Sequence, residues 1–556
     1  MPALLESGAP PETCSGSVFT YPHSGTIKRT SIQNLSLQLR ANLRQIALLL
    51  LLTAAAIFVH GYHPFVEDAE IYLPGVKKAL NPALYSANTD FFLSHARMTI
   101  FPHLIAGSVR VTHIRLSVAL LLWQFAAIFF LLWACWRIGN LAFRDSLAAW
   151  GGAALVASLL TIPVAGTALY IMDQYLTTRA LSTPATLWVI VSAIERKWVR
   201  AGLWLVFTGL IHPLMVVFCL AYVVLLLWLD RTPAPSNRPQ LAAVAALLFP
   251  LGMFPPVTEA YREILETRSY FFLLRWEWYE WLGIFAPLAL LEWFRRIARK
   301  RELPVLARLC GSTIIFGVLF FVSALIVSVP AQLANLAELQ PMRCLQLVYV
   351  LLFVVAGGLL AQFVLQRFVW RWLLLFAPIC AGMFYAQRQL FPATAHLELP
   401  GIQSTNPWVQ AFLWVRDHTP TDAYFALDPN YMRAPAEDEH GFRALAERSR
   451  MADRLKDSGV VSMFPKLAET WQDQVRSLDG WQNFKAPEFE RLRRDYGVTW
   501  VILQKGASRI KDGAAGVPPA GRARTPVSPL TTTGPPCPFE NSKVLVCRLD
   551  QGVASK

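Results

Sequence analysis

The fold is decided first by an apolar run at residues 43–60, LRQIALLLLLTAAAIFVH. An α-helix rises 1.5 Å per residue, so a run of this length can cross the hydrocarbon core of a bilayer. The run begins beside Arg40 and Arg44 and has no convincing small-residue cleavage site. It therefore predicts an uncleaved first membrane helix and not a signal peptide.

Further apolar runs follow along the chain. With 54% hydrophobic and 16% charged residues, the composition is too apolar for a set of soluble domains. The other candidate spans are 116–136, 147–171, 181–194, 241–257, 281–294, 309–329, 345–365 and 372–386. Together with the stretch 201–229, they predict an α-helical polytopic membrane protein with about eleven transmembrane helices.

The stretch 201–229 decides the orientation. It is long for one helix and short for two, and His212-Pro213 lies at its centre. If it is a hairpin of two short helices, the basic residues that flank the spans all fall on one side, including the dense group at 295–308. We therefore expect a protein of the cytoplasmic (inner) membrane with its N-terminus inside and its C-terminus outside. The net charge of +14 is then an orientation signal, and no nucleic-acid partner is expected.

This orientation defines three regions. Residues 1–42 form a cytoplasmic tail, and residues 43–388 form a transmembrane domain with a long first outer loop at 61–115. Residues 389–556 are more polar and mix predicted helices with predicted strands, which indicates a small α/β extracytoplasmic domain. The predicted helices are 406–418, 441–454 and 487–496, and the predicted strands are 423–427, 499–503 and 543–549. The segment 506–536 is rich in Gly, Ala, Pro and Thr, so we expect it to be a disordered excursion.

The cysteines show no zinc-like spacing, and most lie in or beside apolar runs. Cys537 and Cys547 differ because both fall in the region placed outside the cytoplasm, where a disulfide persists. Sequence separation does not establish that the two side chains meet, so the pair is a disulfide candidate.

An acidic motif follows the first predicted helix, at residues 63–73, HPFVEDAEIYL. Glu67, Asp68 and Glu70 lie at the mouth of the membrane, where desolvation and mutual repulsion can raise a carboxyl pKa toward that of a general base. The alternative is that the three carboxylates only solvate the start of a helix and favour its dipole. Two amphipathic segments of the same loop, 74–80 and 91–111, are predicted to lie in the membrane interface.

This layout resembles the GT-C superfamily of lipid-linked-sugar glycosyltransferases. The resemblance rests on the first helix, the long outer loop that opens with Glu67-Asp68 and Glu70, the interfacial helices, the number of spans and the outer C-terminal domain. The chain lacks the Trp-Trp-Asp signature of oligosaccharyltransferases. It is also similar to a bacterial membrane family with the same first-loop and C-terminal signatures, including 440–443 and 456–459, a resemblance that implies no activity.

The resemblance implies a sugar transfer from a polyprenyl-phosphate donor to an acceptor outside the cytoplasm. Such a reaction needs a base for the acceptor and positive charge, or a metal, for the leaving phosphate. Asp68 is then the base and Glu67 its neighbour or a ligand of a divalent metal, with Glu70 the third carboxylate. Arg343 and Arg179 are the candidate phosphate ligands, and the alternative for each is an arginine that snorkels to the interface.

Four further residues are candidate substrate contacts. Asp173 lies in the second outer loop beside Arg179. His212 is ionisable at membrane depth, although Pro213 also explains a simple break between helices. Trp276 and Trp278 can stack on a sugar or belong to an interfacial aromatic belt.

Two other functions remain open. One is a non-enzymatic carrier or flippase of a lipid-linked intermediate, and the other is a membrane scaffold whose outer domain binds partners. A transporter is expected to have paired broken helices in two related halves, and only the His212 hairpin indicates a break. No P-loop, GxGxxG, GxSxG or HExxH occurs in a credible context, so nothing supports a nucleotide-driven pump or a familiar hydrolase.

Overall fold

The computed structural model describes residues 24–230, 258–328, 336–505 and 537–549. By compactness, the chain divides into two units, Met1–Leu51 and Leu52–Lys556, and every site discussed below lies in the second. The helices of the described residues are α1 (Ser24–His60), α2 (Ala69–Leu80), α3 (Asp90–Ala96), α4 (Phe101–Thr112), α5 (Leu116–Ala142), α6 (Ser146–Ser158), α7 (Thr178–Ile194), α8 (Trp198–Ile211), α9 (Pro213–Trp228), α10 (Glu259–Glu266), α11 (Trp278–Lys300), α12 (Pro304–Ser328), α13 (Leu345–Leu360), α14 (Val369–Leu390), α15 (Pro407–His418), α16 (Phe442–Ala446), α17 (Lys456–Val461), α18 (Ala468–Ser477) and α19 (Ala486–Tyr496). The strands are β1 (Tyr424–Leu427), β2 (Ser449–Arg450), β3 (Trp500–Gln504), β4 (Phe539–Glu540) and β5 (Val544–Arg548).

Five helical segments of the described residues are long and apolar enough to cross a membrane. They are Leu39–His60, Leu116–Ala142, Pro304–Ser328, Leu336–Leu365 and Val369–Leu390. These segments correspond to the predicted spans 43–60, 116–136, 309–329, 345–365 and 372–386. The chain is therefore a membrane protein, because apolar helices of this length are stable in a bilayer core, where every backbone polar group must be bonded internally.

The other predicted spans are shorter or less apolar in the structure. The predicted span 147–171 is helical only over Ser146–Ser158. The segment after it forms a loop closed by a bridge between Pro163 and Tyr170, since proline has no backbone N–H for a helix. The predicted span 241–257 lies outside the described residues, and the number of about eleven spans stays a prediction.

The stretch 201–229 is broken where the sequence predicts a break. Helix α8 ends at Ile211 and α9 begins at Pro213, with His212 in an extended conformation between them. Helices α8 and α9 pack against each other, as two halves of a hairpin do.

The C-terminal region contains a five-stranded sheet in the order β2-β1-β3-β5-β4. Strand β1 is parallel to β2 and β3, whereas β5 runs antiparallel to β3 and β4. Phe425 and Leu427 of β1 pack into one apolar cluster and Tyr424 and Ala426 into another, so β1 is buried on both faces. This explains why β1 is a continuous apolar run and not an alternating one. The helices α15 and α19 and the strands β1, β3 and β5 correspond to predicted elements.

The predicted helix 441–454 is wrong. The structure has the short helix α16, which ends where Glu447 takes a left-handed conformation at φ 56°, and then strand β2. The physical reason is that Arg443 and Arg450 are both about 1% exposed and are held by buried carboxylates. One straight helix does not place both side chains in that network and also pair β2 with β1.

Cys537 and Cys547 form a disulfide that joins the segment before β4 to β5. The free cysteines of the described residues are buried or, for Cys380, partly buried. The disulfide thus fixes Cys537 to the sheet, whereas the predicted disordered excursion 506–536 lies outside the described residues.

Candidate functional site

Asp68 precedes α2 but does not cap it. Its side chain accepts no hydrogen bond from the first turn of the helix, so the carboxylate does not serve as an N-terminal cap. The preceding residue, Glu67, takes a left-handed backbone conformation at φ 55°. Its N–H donates to the carbonyl of Glu439, 3.0 Å away, which fixes this turn against the C-terminal region. A non-glycine residue held at positive φ stores strain that the surrounding contacts must offset, a frequent feature of functional turns.

Both oxygens of Asp68 face cations. Arg179 Nη2 lies 3.4 Å from Asp68 Oδ2, and Lys456 Nζ lies 3.3 Å from Asp68 Oδ1. The backbone N–H of Asp68 also donates to the hydroxyl of Tyr175 at 3.3 Å. The Asp68 side chain is 27% exposed, so it remains accessible to a small polar group.

Asp173 and Arg179 join this group from the loop before α7 and from its first turn. Arg179 Nη2 lies 3.0 Å from Asp173 Oδ2, and Thr177 donates a hydrogen bond to the same oxygen. The Thr177 hydroxyl accepts from the N–H of Ala180 and caps α7, which fixes the first turn that carries Arg179. The two residues predicted from this loop therefore lie together beside Asp68.

Lys456 joins this group of charged residues, a contact that sequence analysis did not predict although its local motif is visible in the sequence. Its ammonium group contacts Glu67 Oε2 as well as Asp68. The Glu67 carboxyl group also hydrogen-bonds to the carboxyl group of Glu439. No local pattern indicates these contacts, because Lys456 lies in the C-terminal domain and far along the chain.

The sequence predicts that the pKa of a carboxyl group in the acidic motif is raised toward that of a general base, but the pKa of Asp68 is lowered. Burial opposes ionisation of Asp68, but the positive charges of Lys456 and Arg179 outweigh it and hold the pKa of Asp68 well below its ordinary range. The carboxyl group beside this pair with a raised pKa is that of Glu439. Burial and its hydrogen bond to Glu67 raise the pKa of Glu439 to about 9. At neutral pH, Asp68 is therefore ionised while Glu439 holds a proton.

Arg343 stands at the other side of the same site. It lies in a 3₁₀ turn, Pro341–Cys344, just before α13. Its Nε is buried, and its side chain has no ion-pair or hydrogen-bond partner among the residues that the structure describes. It lines a small cavity with Tyr270, Gln340 and Thr167. Its charge acts on Asp68, which places the two side chains in one electrostatic neighbourhood.

Two histidines face this region. His212 Nδ1 and His95 Nδ1 are both buried without a hydrogen-bond partner in the described part of the chain. The His95 ring packs edge-on against Tyr72 of α2, and the charges of Arg179 and Arg343 act on both histidines. Burial lowers the pKa of His95 to about 4, so it is neutral at pH 7. Sequence analysis identified His212 but not His95, which lies in an amphipathic helix with no distinctive pattern.

Glu70 lies in a different environment from Asp68. It is fully buried, and Arg450 Nε approaches its Oε1 to 2.9 Å while the N–H of Ala444 donates to its Oε2. Arg443 lies 3.6 Å away on the same oxygen as Arg450. Despite these cations, burial raises the pKa of Glu70. Glu70 thus joins the 61–115 loop to the C-terminal region through partners other than those of Asp68.

The two candidate tryptophans, Trp276 and Trp278, lie in different environments. Trp276 is 7% exposed, and its ring packs so closely on Gly166 that an added Cβ there lies 2.6 Å from it. Its Nε1 donates to the carbonyl of Tyr270 at 3.4 Å, which supports the wall of the Arg343 cavity. Trp278 is 76% exposed at the start of α11, as an interfacial belt residue is expected to be.

Comparisons with known proteins give a distant likeness among solved structures. No protein-family model matches the chain, and no curated protein matches it. Among solved structures, the chain is similar to the crystal structure of the Archaeoglobus fulgidus oligosaccharyltransferase in the apo form, at 11% sequence identity and a TM-score of 0.43. The likeness covers 82% of this chain and 69% of that one. Agreement at this level is too low to support a functional conclusion, which has to rest on the residues described above.

Proposed function

We propose that the protein is a membrane glycosyltransferase that moves a sugar from a polyprenyl-phosphate donor to an acceptor outside the cytoplasm. The observation that carries the proposal is Arg343, whose Nε is buried and whose side chain has no hydrogen-bond or ion-pair partner among the described residues, and whose charge acts on the ionised carboxylate of Asp68. A buried cation without a protein partner is costly, and an anionic ligand offsets that cost. A base and an anion site in one place are the minimum that this transfer needs.

The charges of Asp68 and Arg343 indicate which residue binds the acceptor hydroxyl and which binds the donor phosphate. The acceptor hydroxyl lies at the exposed part of Asp68, whose ionised carboxylate is oriented by Arg179 and Lys456 and accepts the hydroxyl proton as the acceptor oxygen attacks the anomeric carbon. The bond from that carbon to the phosphate oxygen breaks, and Arg343 stabilises the phosphate that leaves. Arg179 is already paired with Asp68 and Asp173, so it orients Asp68 and contributes charge to the phosphate.

The acceptor side is extracytoplasmic in this proposal. The basic residues that flank the spans favour a cytoplasmic N-terminus and an outer C-terminal domain in the inner membrane. The disulfide between Cys537 and Cys547 supports the same placement, since such bonds persist outside the reducing cytosol. Asp68 and the sheet then share one face of the membrane.

The proposal is tested with purified protein, a panel of undecaprenyl-phosphate-linked sugars and an outer-envelope extract as the source of acceptor. Wild-type protein is expected to form a glycosylated product, and Asp68→Asn is expected to abolish it while binding of undecaprenyl phosphate is kept. The substitution preserves shape and removes basicity. Full transfer by Asp68→Asn contradicts the mechanism. Binding of undecaprenyl phosphate with no product from any sugar of the panel favours a carrier instead.

A further inference from the structure

The Glu67–Asp68 pair has the residue types of a divalent metal site. Two adjacent carboxylates supply the oxygen ligands that Mg²⁺ and Mn²⁺ prefer. A metal at this position would stabilise the leaving phosphate in the proposed reaction. The contacts of these carboxylates decide whether such an ion fits.

The oxygens are already occupied by protein groups. Asp68 Oδ2 faces Arg179 at 3.4 Å, Asp68 Oδ1 faces Lys456 at 3.3 Å, and Glu67 Oε2 contacts the same ammonium group. The Glu67 carboxyl group also bonds to Glu439. A divalent ion that bound both carboxylates would have to displace Lys456, because the two cations repel each other strongly at contact distance. Among the described residues, no group of three His, Cys, Asp or Glu side chains is arranged to hold a metal ion.

Lys456 is buried, and hydrogen bonds and ion pairs hold its position. Its side chain is only 8% exposed. Its backbone N–H donates to Asp453 Oδ1 at 2.6 Å, and Asp453 is itself bonded to Arg450, the arginine that also binds Glu70. The backbone of Lys456 is therefore anchored to the buried ion pairs that join the C-terminal domain to the 61–115 loop, and its ammonium group reaches Glu67 and Asp68 from there.

We propose that Lys456 takes the place of a divalent cation between Glu67 and Asp68, so that the proposed transfer uses the protein's own cations at this centre. Lys456 and Arg179 keep Asp68 ionised and leave Arg343 as the group for the donor phosphate. The inference deepens the proposed function, but its binding test does not depend on that function.

The test is a titration of detergent-solubilised protein with MnCl₂, followed by electron paramagnetic resonance of the free ion. Wild-type protein is expected to bind no Mn²⁺ at this centre. Lys456→Met removes the ammonium group and keeps the length of the side chain, so it is expected to bind one Mn²⁺ at least about tenfold more tightly than wild type. A second substitution, Asp68→Asn, is expected to abolish the site gained by Lys456→Met.

The matched control is Lys466→Met, which removes an exposed lysine of the same domain and is expected to behave as wild type. One Mn²⁺ bound by wild-type protein and lost in Asp68→Asn overturns the inference, and this measurement needs no folded Lys456 variant. A folded Lys456→Met that gains no Mn²⁺ site also overturns it. In the transfer assay, EDTA is expected to leave the wild-type rate unchanged. A protein with the expected metal behaviour and no transfer activity refutes the proposed function alone.

Discussion

Arg450 Nε lies 2.9 Å from Glu70 Oε1, although the two residues are 380 positions apart in the chain. Both side chains are fully buried, and Arg450 also binds Asp453. The contact links the acidic motif of the 61–115 loop to the segment that carries Lys456. The site around Asp68 is thus assembled by docking of the C-terminal domain.

Glu70→Gln is expected to destabilise this docking. Removing one partner of a buried ion pair costs about 3–5 kcal/mol, because the remaining charges are left without compensation. The measurement is the melting temperature in detergent together with limited proteolysis of the C-terminal domain. The matched control is Glu263→Gln, which removes the partner of the partly exposed Arg476 and is expected to change the melting temperature little. Equal melting temperatures for Glu70→Gln and wild type contradict the docking role.

Arg343→Ala is expected to weaken binding of undecaprenyl phosphate about 10- to 100-fold, the range of a lost charge-assisted hydrogen bond to a phosphate. Binding is measured by the quenching of intrinsic tryptophan fluorescence. Arg97→Ala, which removes an exposed arginine of the 61–115 loop, serves as the control for a general effect of interfacial charge. If both variants lose affinity equally, Arg343 is an interfacial arginine and not a phosphate ligand.

The Glu439 proton gives the protein a pH-dependent stability. Its pKa is raised from 4.5 to about 9 in the folded chain, so the folded state binds this proton more tightly than the unfolded state. The contribution is fully present below pH 4.5 and is lost as the pH rises toward 9. The melting temperature is therefore expected to fall across this window, and Glu439→Gln is expected to reduce the slope. If the melting temperature of Glu439→Gln falls with pH as steeply as that of wild type, other titrating groups cause the pH dependence.

Cysteine labelling tests the orientation. In a background without Cys14, a cysteine at the exposed position Lys300 is expected to react only from the cytoplasmic side, and one at the exposed position Arg494 only from the outer side. The described native free cysteines are buried or partly buried, so their background labelling is low. Labelling of both positions from one side refutes the hairpin assignment at 201–229.

Sequence alone identified the five helical segments that are long and apolar enough to cross a membrane, and several of the local elements of the C-terminal region. The apolar length of a run has only to match the thickness of the bilayer, which is a local condition, so the spans 43–60 and 345–365 are visible without a fold. The break at His212-Pro213 is equally local, because proline removes the N–H that a continuous helix needs. The strands β1, β3 and β5 follow from runs of apolar residues bounded by turn residues.

Tertiary structure decided what each charged residue does. Glu67, Asp68 and Glu70 are nearly equivalent in sequence, yet Asp68 faces Arg179 and Lys456 while Glu70 is buried against Arg450. The shape of the backbone turn and the docking of a distant domain select these partners, and neither leaves a local signal. The pKa of a carboxyl group depends on the cations that the fold brings to it, so the low pKa of Asp68 and the raised pKa of Glu439 follow only from the assembled structure.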